Sequence, residues 1–497
     1  MKYILSLLFP FLLSLPVFSQ SAPEIEGKLI RSGPLIFNDK VVGHYRLTDN
    51  RQTDDQNYVY TITLLGNDLQ ILGNKLYESD VPLAFGGIAY NGTYLGVAYR
   101  KTSKNEWLID VLDGSGARIH QEIFNRLYYS RKSFLLPTDA GFVSCLSRNG
   151  KGGREVFDVS LVNLVEESSG WTKSFSGDKE GVVPHLVTFN SERVVVAVER
   201  YTRARMKCYQ DVYCIDVKTG ALIFNHKQDK PSNLAFYEDV ITGALIDDGV
   251  ILAYDAPEST KDKARLGFKL IRLDAEGELM KSEIHFDKDF FNKALIENKL
   301  PALEKYVSVK RTGIEMNPEG IVTVAFEVSS TRTKNGKWVN GKEYQDAYVL
   351  TMTPDFQIGP LVRLEKKHFS LTPQEEAYEG SQNLMQKRMN KGEIDKVSLN
   401  YLLEIHNGPY GFALAVSGTD YISNYFLDRD FTKVNGVVYY GVTVATYIDG
   451  EFELDYIPFK NKPDYITLGR ARDGYIKITE YKYGEGIVDV HLERLSY

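Results

Sequence analysis

A short apolar segment, usually introduced by a Gly- or Asn-containing turn, recurs eight times along the chain, and this recurrence constrains the fold more than any other feature. The copies are Val41–Arg46 (VVGHYR), Tyr94–Arg100 (YLGVAYR), Gly141–Ser147 (GFVSCLS), Arg193–Arg200 (RVVVAVER), Gly249–Tyr254 (GVILAY), Gly320–Phe326 (GIVTVAF), Gly411–Ser417 (GFALAVS) and Gly474–Tyr481 (GYIKITEY). The first five lie about 50 residues apart, and the later gaps widen to roughly 60–90, which implies insertions. Runs such as VVVAV and FALAV do not alternate with polar residues, so both faces of these strands are expected to be buried.

A second segment follows most copies and ends in a tight turn. Examples are YTITLLGNDLQI (60–71), LIDVLDGSGARI (108–119), YCIDVKTGALI (213–223), FKLIRLDAEGEL (268–279), YVLTMTPDFQI (348–358) and VATYIDGEFEL (444–454). Each reads as strand, two to four residues rich in Asp, Asn and Gly, then strand, which is hairpin chemistry. The corresponding stretches at Val156–Val165 and Ile487–Leu495 lack the clear turn.

Each unit is therefore a less regular strand, an apolar strand, a variable loop and a hairpin. Four strands in roughly 50 residues, repeated, resembles the β-propeller proteins, and the resemblance covers nearly the whole chain after residue 19. A half-exposed sandwich strand, the main rival, would alternate. The expected fold is all-β: a β-propeller of seven or eight four-stranded blades in one domain, 20–497. Pairing of Lys28–Ile36 with the C-terminal blade is expected to close the ring. Two small helical insertions are expected, at about 288–300 and 372–391. In the first, Phe290, Phe291, Ala294 and Leu295 fall at helical spacing. In the second, Thr372, Pro373 and Glu375 suit an N-cap, N1 and N3.

Residues 1–19 read as a signal peptide. Lys2 precedes an apolar stretch, Ile4 to Phe18, broken by Pro10 and Pro16, and Val17 and Ser19 occupy the −3 and −1 positions of a cleavage site. The stretch is too short and interrupted for a bilayer span, and no other long apolar run follows. The expectation is an exported bacterial protein, periplasmic or extracellular, with no transmembrane segment. The cysteines number three, Cys145, Cys208 and Cys214, too few and too uneven for a disulfide scaffold. They read as small buried hydrophobes, with a Cys208–Cys214 bridge as the alternative.

The formal charge of −7 argues against nucleic acid as a partner. Four variable loops nonetheless are basic: Arg100–Glu106, Ser147–Glu155, Glu199–Asp211 and Ser329–Asp346 hold fourteen Lys or Arg against six Asp or Glu. In propellers, as the resemblance implies, such loops open on one face, where ligands usually bind. The candidate ligand-binding residues are Arg100, Arg154, Tyr201, Arg203, Arg205 and Trp338: guanidinium groups for carboxylate, sulfate or phosphate, and rings for stacking on sugars. Equally, Lys and Arg are what exposed loops commonly contain. The seventh loop, Gly418–Gly436, is long, aromatic and acidic, but its Asp420, Asp428 and Asp430 lack calcium-loop spacing.

The eight histidines are scattered, without a zinc motif, and neither a nucleophile elbow nor a phosphate-binding Gly loop is present, so no metal, cofactor or catalytic residue is assigned. The sequence supports an exported binding or scaffold propeller for a carbohydrate, an anionic polymer or a protein partner. The alternative is a carbohydrate-active enzyme, glycoside hydrolase or lyase, with its site at the channel mouth.

Overall fold

In the computed structural model the described residues are 20–21, 27–38, 40–50, 57–101, 106–125, 127–128, 134–149, 155–164, 170–176, 181–201, 208–227, 240–256, 258–259, 264–265, 267–303, 307–334, 337–365, 410–432, 436–459, 465–482 and 486–496. They form nine antiparallel sheets: eight pack as the blades of a propeller, and Glu258–Ser259 with Ala264–Arg265 form a two-stranded ribbon between the second and third strands of blade 5. Blade 1 comprises Lys28–Phe37, Lys40–Asp49, Tyr58–Leu65 and Ile71–Ser79, and blade 2 comprises Leu83–Tyr90, Leu95–Lys101, Glu106–Leu112 and Arg118–Asn125. Blade 3 comprises Phe134–Thr138, Gly141–Asn149, Glu155–Asn163 and Thr172–Phe175, with Leu127–Tyr128 added beside its second strand. Blade 4 comprises Gly181–Phe189, Arg193–Tyr201, Cys208–Asp216 and Leu222–His226, and blade 5 Val240–Ile246, Gly249–Asp255, Gly267–Asp274 and Leu279–Phe286. Blade 6 comprises Val307–Met316, Val322–Lys334, Lys337–Met352 and Ile358–Leu364, and blade 7 Tyr410–Ser417, Tyr421–Thr432, Gly436–Ile448 and Glu451–Pro458. Blade 8 comprises Tyr465–Arg470, Tyr475–Lys482 and Gly486–Arg494, with Gln20–Ser21 as its fourth strand.

First strands line the axis and stand beside those of the neighbouring blades, round to blade 8 against blade 1, except that the first strand of blade 4 lies chiefly against the third strand of blade 3. The apolar second strands are covered on both sides, as their lack of alternation required: Val194 to Ala197 and Val250 to Ala253 are fully buried. Burying such a side chain stabilises the fold by about 1.5–3 kcal/mol, and the gain recurs in every blade. The apolar core is correspondingly divided into eight clusters, one in each seam between neighbouring blades. The seam between blades 8 and 1 is the poorest, with Leu65, Leu69, Ala471, Val490 and Leu492 as its buried cluster. Buried His44, Arg46 and Lys477 also belong to those two blades.

The hairpins follow the turn chemistry of the sequence. Asp113 Oδ1 accepts hydrogen bonds from the Ser115 and Ala117 amides at 2.9 and 3.0 Å, and Asp274 Oδ1 caps Glu276 and Glu278 in the same way. Gly277 takes φ 85°, and a Cβ there would meet the Phe224 ring, so both its backbone and its neighbour require glycine.

Several expectations are corrected. The ring is closed by Gln20 and Ser21, opposite Leu492 and His491, while Lys28–Phe37 is the innermost strand of blade 1 and pairs with Lys40–Asp49. That explains the missing turn after Ile487–Leu495: this third strand takes its partner from the opposite end of the chain. The seventh apolar copy is an inner strand of its blade, and most of Gly418–Gly436 is the second strand, Tyr421–Thr432, reached by a tight turn in which Gly418 N donates to Tyr421 O. Apolar residues in Tyr421–Leu427 made that segment a buried strand. A Cys208–Cys214 bridge is not formed. Both residues lie on one extended strand, six positions or roughly 20 Å apart, and Cys214 is a free buried thiol.

The first helical insertion is the helix Asp287–Glu297, which buries Phe290, Phe291, Ala294 and Leu295 against blades 5 and 6. The second, at 372–391, lies outside the described residues. Eight blades, rather than seven, complete the ring.

Candidate functional site

Each blade is a meander running outward from the axis, so its first-to-second and third-to-fourth turns fall on one face. Its second-to-third connection falls on the other, together with the connections between blades. All four basic segments join second to third strands, in blades 2, 3, 4 and 6, and the strand ends that they join lie on one face. The helix Asp287–Glu297 belongs to the same face. Arg154, Arg203 and Arg205 lie outside the described residues; Tyr201 closes the second strand of blade 4, and Trp338 stands opposite Thr333 in blade 6. Within the blade 4 connection Arg200 is already committed to buried Asp211, by two hydrogen bonds of 2.8 and 3.1 Å.

Between blades 1 and 2 a cleft of about 350 Å³ opens along the seam. Strand alternation builds its walls. Lys75, Tyr77 and Ser79 recur every second residue on the outer strand of blade 1, and Tyr99 and Lys101 do so on the second strand of blade 2. Arg100 falls between those two, on the opposite face of its strand, and does not line the cleft. Thus the basic loop contributes its neighbour, Lys101. Asp110, on the third strand, and Arg118, on the fourth, complete the polar lining with Glu78.

The floor is aromatic. Tyr77, Phe85 and Tyr99 form a three-ring cluster with centroids 5.4–5.9 Å apart, and Tyr60 adds its edge to Phe85 at 5.4 Å. Asp110 is 2% exposed and is held from both sides: Tyr99 Oη donates to Oδ2 at 3.2 Å and Gln121 Nε2 to Oδ1 at 2.6 Å. Arg118 Nη1 stands 3.8 Å from the same Oδ1. Burial, and then the Asp110 charge, pushes both tyrosine hydroxyls far above their usual range, so both remain protonated donors. Tyr77 Oη is buried and has no hydrogen-bond partner among the described residues. Three cationic side chains against two acidic ones, with two phenol donors, make a site suited to a carboxylate or sulfate beside hydroxyl groups. The alternating Lys-x-Tyr and Tyr-x-Lys patterns carried this signal in the sequence, but only the pairing of blades brings them together.

A second polar group lies at the far end of the axis, on the tight-turn face. Glu315, Ser417 and Arg470 lie at or next to the last residues of the inner strands of blades 6, 7 and 8. Ser417 Oγ donates to Glu315 Oε1 at 3.2 Å, and the Met316 amide lies 3.3 Å from the same oxygen. Burial pushes the Glu315 carboxyl up to about 7, against the opposing pull of these hydrogen bonds and of Arg470. Asp420 and Asp428 of the seventh loop form no pair: Asp420 precedes the strand and Asp428 lies eight residues further on, roughly 26 Å away. Asp428 is buried and accepts from Tyr456 Oη at 3.3 Å. The side chain of Asp430 lies outside the described residues.

No family model matches the chain, and neither does any curated protein. Solved structures do. Prolyl oligopeptidase B from Galerina marginata is similar over 92% of this chain and 56% of its own length, at 9% identity and a TM-score of 0.41, so the chain spans about half that peptidase. The β-propeller domain of the Trilobed protease from Pyrococcus furiosus is similar over 97% of both chains, at 8% identity and a TM-score of 0.34. A member of the DUF4221 family from Bacteroides vulgatus is similar over 70% of this chain and 85% of its own, at 12% identity and a TM-score of 0.25. Likeness at this level carries neither an activity nor a substrate to this chain.

Proposed function

We propose that this protein is an exported bacterial binding propeller whose loop face takes an anionic, hydroxyl-rich ligand, an acidic carbohydrate or similar anionic polymer, seated in the cleft between blades 1 and 2. The supporting observation is the pair of amines, Lys75 and Lys101, which meet no partner among the described residues and flank the unpartnered Tyr77 hydroxyl. The remaining candidates, Arg154, Tyr201, Arg203, Arg205 and Trp338, would extend the same surface across blades 3, 4 and 6, while Arg100 would contribute to the rim beyond the cleft. Export follows from the leader-like residues 1–19; among the described residues no helix is long and apolar enough to cross a membrane.

The test is calorimetric titration of the purified protein with uronic-acid oligosaccharides and neutral oligosaccharides of equal length. Selective binding of the acidic series, weakened at least tenfold by Lys75→Ala with Lys101→Ala, is the expected result. Equal affinity for the neutral series, or binding indifferent to the double substitution, overturns it.

A carbohydrate-active enzyme is the second reading, and Glu315 is what favours it: a carboxyl with its pKa near neutrality suits general acid or base work. It predicts release of new reducing ends or unsaturated products from the same oligosaccharides, abolished by Glu315→Gln.

A further inference from the structure

Blade 8 carries a group of side chains that none of the preceding chemistry uses. Glu480, on the second strand, stands directly opposite Asp489 on the third, and His491 and Glu493 follow Asp489 at alternate positions. Alternation sets all four on the face that Ile476 and Ile478 present to blade 7. One ligand-capable atom from each of Glu480, Asp489 and His491 lies within 4.8 Å of the other two.

This arrangement is costly as it stands. Acidic side chains directly opposite each other on neighbouring strands repel. Glu480 is 1% exposed, and its Oε2 has neither a hydrogen-bond partner nor an ion pair among the described residues. A buried carboxylate needs a cation or a donor, and among the described residues no Lys or Arg forms an ion pair with this one. His491 Nδ1 lies 2.9 Å from Asp489 Oδ2 and, like Glu480 Oε2, is buried without a hydrogen-bond partner. Both atoms are therefore available to a central ion.

We propose that Glu480, Asp489 and His491 bind a divalent first-row transition-metal ion, with zinc as the simplest occupant. The imidazole nitrogen selects against calcium and magnesium, which prefer all-oxygen shells. Ligand atoms around a tetrahedral zinc lie roughly 3.4 Å apart, so side-chain rotation by about an ångström closes the site. Glu493 completes the arrangement from behind. Its Oε1 stands 3.5 Å from His491 Nε2, where a carboxylate orients a metal-bound imidazole by accepting its remaining N–H. Three protein ligands leave a fourth position for water or a ligand atom. His491 also stands opposite Ser21, so the ion would sit beside the strand that closes the ring.

The experiment is zinc titration of the purified protein against a chromophoric chelator, with circular dichroism confirming that each variant is folded. One zinc per chain is expected. Glu480→Gln and His491→Gln should each weaken it at least tenfold, and Glu493→Gln by about 10–100-fold, the usual loss when a metal-bound imidazole loses its orienting partner. Failure to retain zinc overturns the proposal, as does zinc that binds folded His491→Gln as tightly as the unaltered protein. So does an NMR spectrum in which His491 is a doubly protonated imidazolium between Asp489 and Glu493 when zinc is in excess.

Discussion

Tyr99 donates its hydroxyl hydrogen to Asp110 across neighbouring strands of blade 2, while Tyr77, on the facing strand of blade 1, brings an equally buried hydroxyl with no well-formed hydrogen bond among the described residues. One phenol is satisfied within its own blade and the other is left for what enters the cleft. Tyr77→Phe should therefore leave the unliganded protein as stable as before, or more stable by about 1 kcal/mol, because an unpaired buried hydroxyl is removed. The same variant should lose roughly tenfold in affinity for the acidic oligosaccharides proposed as ligands of this cleft. Thermal melting and titration of one preparation measure both, and a stable variant with unchanged affinity would remove Tyr77 from the site.

His44 gives the protein an acid-sensitive seam. Its ring is fully buried with neither nitrogen hydrogen-bonded, and burial, reinforced by the charges of Lys477 and Arg46, lowers its pKa to about 3. Below pH 6.5 the unfolded chain takes up a proton that the folded chain refuses, so stability falls as pH falls from 6.5 toward 3. Between pH 7 and pH 5 the loss is about 2 kcal/mol. His44→Leu should flatten this limb in denaturant titrations at the two pH values; an unchanged slope would show that other groups set it.

Glu315 acts in the opposite direction. Its carboxyl, raised from 4.5 to about 7, holds a proton in the folded state that the unfolded chain has released. Stability at this position is complete below pH 4.5 and is lost as pH rises through 7, by about 3 kcal/mol. Glu315→Gln should remove that decline and leave the protein more stable at pH 8 than its parent. If the difference between the two proteins is the same at pH 4 and pH 8, the carboxyl does not titrate in this range.

Cys145 and Cys214 should both resist thiol reagents until the chain unfolds. Each is buried; burial pushes the Cys214 thiol up to about 11 and the Cys145 thiol higher still, so neither supplies a thiolate. Labelling of the native protein with iodoacetamide, read by peptide mass spectrometry, measures this. Rapid modification of either residue would show that its seam opens.

The strand repeat was legible because a blade's second strand is covered on both faces, which leaves an unbroken apolar run such as Val194–Val198. Turn chemistry was legible for the same kind of reason: Asp113 and Asp274 satisfy their own turns locally. The inner strands were harder, because they border the axis and mix polar with apolar residues. Blade 7 was consequently shifted by one strand, its inner strand Tyr410–Ser417 being as apolar as a second strand elsewhere. The cleft was half visible. Arg100–Glu106 borders the cleft, yet Lys101 rather than Arg100 lines it, and Lys75 and Tyr77, which line it too, come from a different blade. Asp489-x-His491-x-Glu493 has a strand period that a search for helical or loop metal motifs does not meet, and Glu480 joins it only through the register of two strands.

Seven blades of this ring are built from neighbouring segments, each able to form as its own stretch of chain becomes available. The eighth must wait for residues 20 and 492 to find each other. Closing so long a loop adds little to the equilibrium cost, since that cost grows only with the logarithm of length, but it makes this the most non-local and therefore the slowest contact to form. Until then the chain is an open arc with two unpaired edges. The seal of two residues thus acts as a timer: the closed ring exists only once the third strand of blade 8 has formed and met residues 20 and 21.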